Sequence, residues 1–140
     1  MARKTAPRNP ARASRSEPKG ELAIRALAMP ADTNPAGDIF GGWVMAQMDI
    51  AGGITASARA QGRVATVAVT GFTFHRPVWV GDVVCCYADV RRVGTTSLTI
   101  GIEAWVIRRR KTQEKFKVTE GVFTFVAIDK LGKKRRVPPK

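Results

Sequence analysis

The sequence predicts an α+β fold in which one long helix packs against an antiparallel sheet. Three features carry this expectation. The run from Ile39 to Ala60 is apolar on almost every side, which marks a helix that sits inside something. Four segments after residue 62 are rich in Val, Ile, Thr and aromatic residues, the composition of strands. The links between those segments are too short for crossover connections and favour antiparallel neighbours.

In chain order, "ELAIRALAM" (21–29) alternates in part and reads as a first strand, and "PADTNPAG" (30–37) collects the Pro, Asp, Asn and Gly of a loop. Asp38 stands where the N-cap of the helix is expected. Gly41, Gly42, Gly52 and Gly53 each cost about 1 kcal/mol relative to Ala in a helix. They are expected to mark close approach of another backbone or a ligand. The strands are expected over 63–77, 82–93, 96–109 and 116–129. In the third, Leu98, Ile100, Ile102, Ala104 and Val106 alternate with Thr99, Gly101 and Glu103, so one face is buried. Cys85 and Cys86 are adjacent in a strand and point to opposite faces, so they are read as small buried hydrophobes that do not pair. The helix is greasier than one sheet face requires, and a second copy of the chain is the expected cover.

At 140 residues one domain is expected. The net charge of +13 is uneven: residues 1–20 carry +5, residues 130–140 carry +6, and the stretch between carries +2. The expected division is a basic disordered tail over 1–20, a folded domain over 21–129 and a basic C-terminal tail over 130–140. Tails of this kind are usually solvated, the sharper alternative being attachment to RNA, DNA or an anionic membrane. Neither nucleic acid nor membrane is taken as a partner. No segment approaches the roughly 18 apolar residues of a membrane span, no secretory signal opens the chain, and a cytoplasmic location is expected.

Several chemistries lack their parts. Two cysteines and one histidine cannot complete a zinc set, so neither metal nor cofactor is expected. His75 is the only histidine and sits in strand-like "FTFHRP", where it is read as structural. A Ser-His-Asp triad would need a histidine base, and no G-x-S-x-G or phosphate loop appears.

What remains is the helix itself. Its first-turn amides are unpaired and electropositive, and Gly41 and Gly42 lie there without side chains, open to a carbonyl oxygen; simple tight packing is the alternative. Asp49 lies between Met48 and Ile50, and a carboxylate in apolar surroundings needs a partner or a chemical task. An ion pair with an arginine is as good a reading as catalysis. Asn34 is either a second donor to the same oxygen or a turn residue before Pro35.

The string "MPADTNPAGDIFGGWVMAQMDIAGG", followed by "GRVATVAV", "RPVWVGDVVCCY" and "VFTFVAID", closely resembles the acyl-CoA thioester hydrolases of the YciA type over residues 21–138. The resemblance implies the hotdog fold, one long central helix on a five-stranded antiparallel sheet. It implies hydrolysis of acyl-CoA to a free acid and CoA, with Asp49 as the essential acid and the Gly41 amide polarising the thioester. Asn34 joins them as a catalytic candidate, and Phe40, Asp38 and Gly42 are expected to bind substrate. Gly41 and Asp49 lie about 12 Å apart along one helix, too far to flank one carbonyl. A two-fold dimer with composite sites is therefore expected, and the resemblance implies a larger assembly such as a trimer of dimers. The long basic N-terminal tail, the basic ending and Pro35 depart from the family pattern. Arg76, Arg91, Arg92 and Arg108 to Arg110 are candidates for the CoA phosphates. The rival function is a non-catalytic acyl-CoA-binding regulator whose basic tails contact nucleic acid.

Overall fold

The computed structural model describes residues 17–109 and 113–140. The elements are β1 (Glu21–Leu27), a 3-10 turn at Pro30–Asp32, α1 (Gly41–Ala60), β2 (Val64–Phe74), β3 (Val83–Val93), β4 (Ser97–Arg109) and β5 (Gln113–Ala127). The strands form one antiparallel sheet in the order β1-β3-β4-β5-β2. One helix lies across this sheet, which is the expected hotdog arrangement.

The helix faces the sheet with Val44, Met48, Ala51, Gly52, Ala56 and Ala60, a spacing of three and four residues that lines one side of a helix. Its partners include Leu98, Ile100, Ile102, Phe123 and Phe125, all buried. Gly52 sets how closely the two layers meet. A methyl group there would stand 2.5 Å from Ile102 Cδ1 and 2.8 Å from Phe125 Cζ. The other helix glycines behave differently: Gly42 and Gly53 face open space, and Gly41 opposes only the Phe74 ring. The helix closes at Gln61, whose positive φ of 53° forms the left-handed cap.

The alternation in β4 is observed on the core side, where Leu98, Ile100, Ile102, Ala104 and Val106 are all buried. On the opposite side Trp105 and Ile107 are also buried towards the end of the strand, and Arg108 is buried beyond Val106 on the core side. Cys86 belongs to the core and Cys85 to the other face, both as free thiols. Burial pushes Cys86 up to about 12 and raises Cys85 as well.

Three expectations need correction. Asp38 does not cap the helix. Phe40 is the N-cap and makes no side-chain capping bond, because the bridge between Thr33 and Ile39 and the bond from the Phe40 amide to Asp32 O carry the chain past Asp38 before the helix begins. Residues 130–138 are not a free tail. Arg135 N–H donates to Ala127 O, Val137 N–H to Thr95 O, and Arg59 to Pro138 O, so the C-terminal stretch is a strap laid back on the domain. Residues 1–16 of the expected disordered tail lie outside the described residues.

The third correction is Arg108, expected among the candidates for the CoA phosphates. It is 4% exposed, and its Nε and terminal nitrogen donate to both oxygens of the buried Asp82 at 3.0 and 2.9 Å. Its guanidinium lies 3.6 Å from the centre of the Trp79 ring and also donates to Pro77 O. A planar fork between a carboxylate and an aromatic face suits arginine alone. Truncation leaves Asp82 charged and buried, which costs about 3–5 kcal/mol. Arg108→Ala is therefore expected to lower the unfolding free energy measured in urea by that much, with a lower midpoint, and Arg108→Lys to recover only part of it. Unchanged midpoints for Arg108→Ala would show that the pair contributes nothing.

Candidate active site

Where the loop 30–39 enters α1, the surface forms an open cavity of about 350 Å³ lined by Asn34, Asp38, Ile39, Gly41, Val44, Phe74, His75, Arg76, Pro77 and Val78. The loop and the segment after β2 are tied together by the Ile39 amide, which donates to Val78 O at 2.9 Å. The Arg108 clamp on Pro77 holds the same wall from behind.

Asn34 holds its own turn. Its Oδ1 accepts from the Ala36 and Asp38 amides at 2.9 and 3.1 Å, which fixes the turn. Its amide nitrogen is uncommitted among the described residues, on a side chain that lines the cavity. The Gly41 and Gly42 amides open the helix and have no acceptor among the described residues, as helix geometry requires. Gly41 borders the cavity; Gly42 and Phe40 do not, and Phe40 is exposed beside it.

Asp49 stands apart. It lies two turns further along α1, half-exposed, at the border between buried Met48 and exposed Ile50. Its partner is no arginine: the Thr66 hydroxyl on β2 donates to Asp49 Oδ1 at 2.6 Å, and the described residues show no ion pair to it. A single copy thus brings Asn34, Asp38 and Gly41 together and leaves Asp49 out.

Two neighbours complete the surroundings, of which Thr66 escaped the sequence reading and His75 was read as structural. Thr66 carries no signal, being one threonine in an alternating strand. His75 falls just beyond the end of β2 and joins the cavity wall, its Nε2 2.5 Å from Glu120 Oε2. Lys117 Nζ is 3.2 Å from the other Glu120 oxygen. Partial burial works against ionising Glu120, but the bonds and charges of His75 and Lys117 outweigh it and hold the carboxyl below its usual value. Arg76 stacks 3.6 Å over the Phe116 ring at the same mouth. Arg91 lies over Gly101 and 4.0 Å from Asp89, and Arg110 is outside the described residues. Among the described residues no three His, Cys, Asp or Glu side chains gather as a metal ion requires.

Comparison with known proteins decides the family. A profile of the thioesterase superfamily matches residues 36–112, the span from the cavity loop to the end of β4. The chain belongs to the thioesterase superfamily. Within that superfamily it is 57% identical over 123 residues to the acyl-CoA thioester hydrolase YciA of Salmonella typhimurium, a match covering 86% of this chain and 92% of that one. The crystal structure of a hexameric thioesterase from Yersinia pestis is 56% identical and superposes with a TM-score of 0.83, covering 89% of this chain and all of the other. An acyl-CoA hydrolase from Staphylococcus aureus is 29% identical with a TM-score of 0.73, covering 82% of this chain and 70% of that one; its structures include an aspartate-to-alanine and a threonine-to-alanine variant. The kinship with YciA-type hydrolases expected from the motif string is therefore shown, and the thioesterase-superfamily fold is the frame for the site.

Because Glu120 is held below its ordinary value when folded, it adds stability above the unfolded carboxylate pKa, and that stability is lost as pH falls through the lower folded value. Wild type is therefore expected to lose stability relative to Glu120→Gln only on descending through and below the ordinary carboxylate range. Urea midpoints of both proteins across acid pH check this, and parallel curves would remove the His75–Glu120–Lys117 network from the account.

Proposed function

We propose that this acyl-CoA thioester hydrolase works through a site shared between two copies of the chain, with Gly41 of one copy and Asp49 of the other on either side of the thioester. The observation that carries the reading is the separation within one copy. The unpaired first-turn amides and the cavity lie at one end of α1, and the oriented carboxylate lies about 12 Å along the same helix.

In the shared site the thioester oxygen takes the Gly41 N–H, with the Asn34 amide as a second donor, so that charge developing on oxygen meets preset dipoles. Asp49, its Oδ1 held by Thr66, keeps Oδ2 for the reaction. It acts on the carbonyl carbon either as base towards water or as nucleophile through a mixed anhydride, and CoA leaves as the thiol. Asp38, Phe40 and Gly42 line the approach of the acyl-CoA. The S. aureus relative supports the pairing of acid and hydroxyl: its altered aspartate and threonine are 17 positions apart, the separation of Asp49 and Thr66 here.

The surface supports the assembly. Met45, Ile50 and Ile54 on α1 and Val67, Val69 and Phe74 on β2 are exposed in a single copy, and β2 is an edge strand. An exposed apolar edge of this length is a liability unless another chain covers it. A homo-oligomer covers it, and the hexameric thioesterase of Yersinia pestis favours three such dimers. Location in the cytoplasm goes with this reading.

Asp49→Asn is expected to lower kcat for acyl-CoA hydrolysis by about 10²–10⁴-fold, and Thr66→Val by about tenfold through loss of one bond to a carboxylate. Release of free thiol from a panel of acyl-CoAs measures both. An Asp49→Asn enzyme as fast as wild type refutes the catalytic assignment, and wild type that binds acyl-CoA without releasing thiol favours the regulator. Val67→Asp, at a position 56% exposed in the single copy, is expected to dissociate the assembly and abolish hydrolysis together. A fully active monomer in sedimentation is the outcome that defeats the shared site.

A further inference from the structure

We propose that the C-terminal strap presents a docking site for an anionic lipid surface, with Leu131 as its inserting tip. The strap begins with a tight turn. Asp129 Oδ1 accepts the amides of Leu131 and Lys133, both at 2.9 Å, and Gly132 takes a φ of +80°, a value that suits glycine. The Gly132 amide closes the turn on Asp129 O. Arg63 donates to Asp129 O and Lys130 O from β2's side. Beyond the turn, Arg135 folds inward onto Ile128 O and Arg63 O. The turn is thus held in place by bonds from both ends and from within.

This held turn displays an aliphatic side chain to solvent. Leu131 is 82% exposed, the most exposed of the large apolar residues described. Lys130, Lys133 and Lys134 flank it and are exposed as well. The nearest acid, Asp129, has one carboxylate oxygen occupied by the turn amides, and residues 130–140 carry six cations and no acid. An apolar tip ringed by lysines suits the boundary between anionic headgroups and acyl chains, where the cations meet phosphate and the leucine leaves water. Nucleic acid offers phosphate but little for an aliphatic tip, and residues 130–140 contain no aromatic residue on which a base could stack. No described helix is long and apolar enough to cross a membrane, so the contact is peripheral and salt-sensitive.

The test is co-sedimentation of the full chain with vesicles of phosphatidylcholine alone and of phosphatidylcholine with phosphatidylglycerol. Binding is expected only to the anionic vesicles and to fall as salt rises. Leu131→Ser is expected to weaken it about tenfold, the effect of withdrawing one leucine side chain from an apolar phase. The double charge reversal Lys133→Glu with Lys134→Glu is expected to abolish it. All three positions are exposed, so thermal midpoints should stay unchanged and report that the variants fold. Anionic-vesicle binding that is indifferent to Leu131 overturns the proposal, as does binding to neutral vesicles or none to either. So does a tighter, Leu131-independent association with duplex DNA in competition with the vesicles.

Discussion

The seating of α1 on the sheet at Gly52 is the constraint from which the rest of the molecule follows. With no side chain at that position, Ile102 and Phe125 press directly against the helix backbone, and the row from Val44 to Ala60 is driven into the core. A helix is a stiff rod with fixed rise and turn, so fixing one face fixes every other. The direction of Asp49 towards β2, the exposure of Met45, Ile50 and Ile54, and the position of the Gly41 amide beside Phe74 are consequences of that single contact. The geometry of the proposed site is inherited from core packing.

The entrance to the helix needs a second device, because an amide that binds a substrate oxygen, as proposed for Gly41, cannot also be satisfied by the protein. The chain leaves Gly41 and Gly42 unpaired and holds the surrounding backbone by other means. Ile39 is bonded to Val78, Phe40 to Asp32, and Asn34 to two amides of its own turn. Behind this wall the Asp82–Arg108 pair pins the segment from Pro77 to Asp82. Such a pair adds little net stability over well-packed apolar residues, but it allows few alternative geometries. A loop that borders the cavity gains from such rigidity, since holding reacting groups in a fixed orientation lowers a reaction barrier.

Much of this was legible in the residues, and the failures share a cause. Periodicity found the helix and all five strands to within a few residues, because the buried faces of α1 and β4 repeat on local spacings. Asp49, Gly41 and Asn34 stood out as a polar or side-chain-free exception in an apolar or turn-forming context. What escaped depends on contacts between distant positions. Arg108 looks like any cation before a charged hairpin until Asp82, 26 residues earlier in the chain, is brought against it. Thr66 is one of several threonines in its strand and becomes distinct only when the helix turns Asp49 towards it. The strap at 130–138 looked like a tail because its charge is high. Its order comes from backbone bonds to Ala127 and Thr95, which composition does not reveal.

The placing of a carboxylate between Met48 and Ile50 can now be explained. In one copy Asp49 does not suffer full burial: Met48 is sealed in the core, Ile50 is open, and the acid sits on the boundary with a hydroxyl already bound. In the proposed assembly its desolvation is deferred until another chain covers the apolar face of α1 and β2, where the area removed from water would offset it. A single copy therefore folds with a half-exposed acid, and in the shared site proposed above the assembled molecule would have a dry one facing an electropositive helix end. On that proposal, coupling the acid's environment to association would keep the reactive arrangement from existing in an incomplete particle. It also explains why an ionisable side chain is tolerated on the greasiest element of the chain.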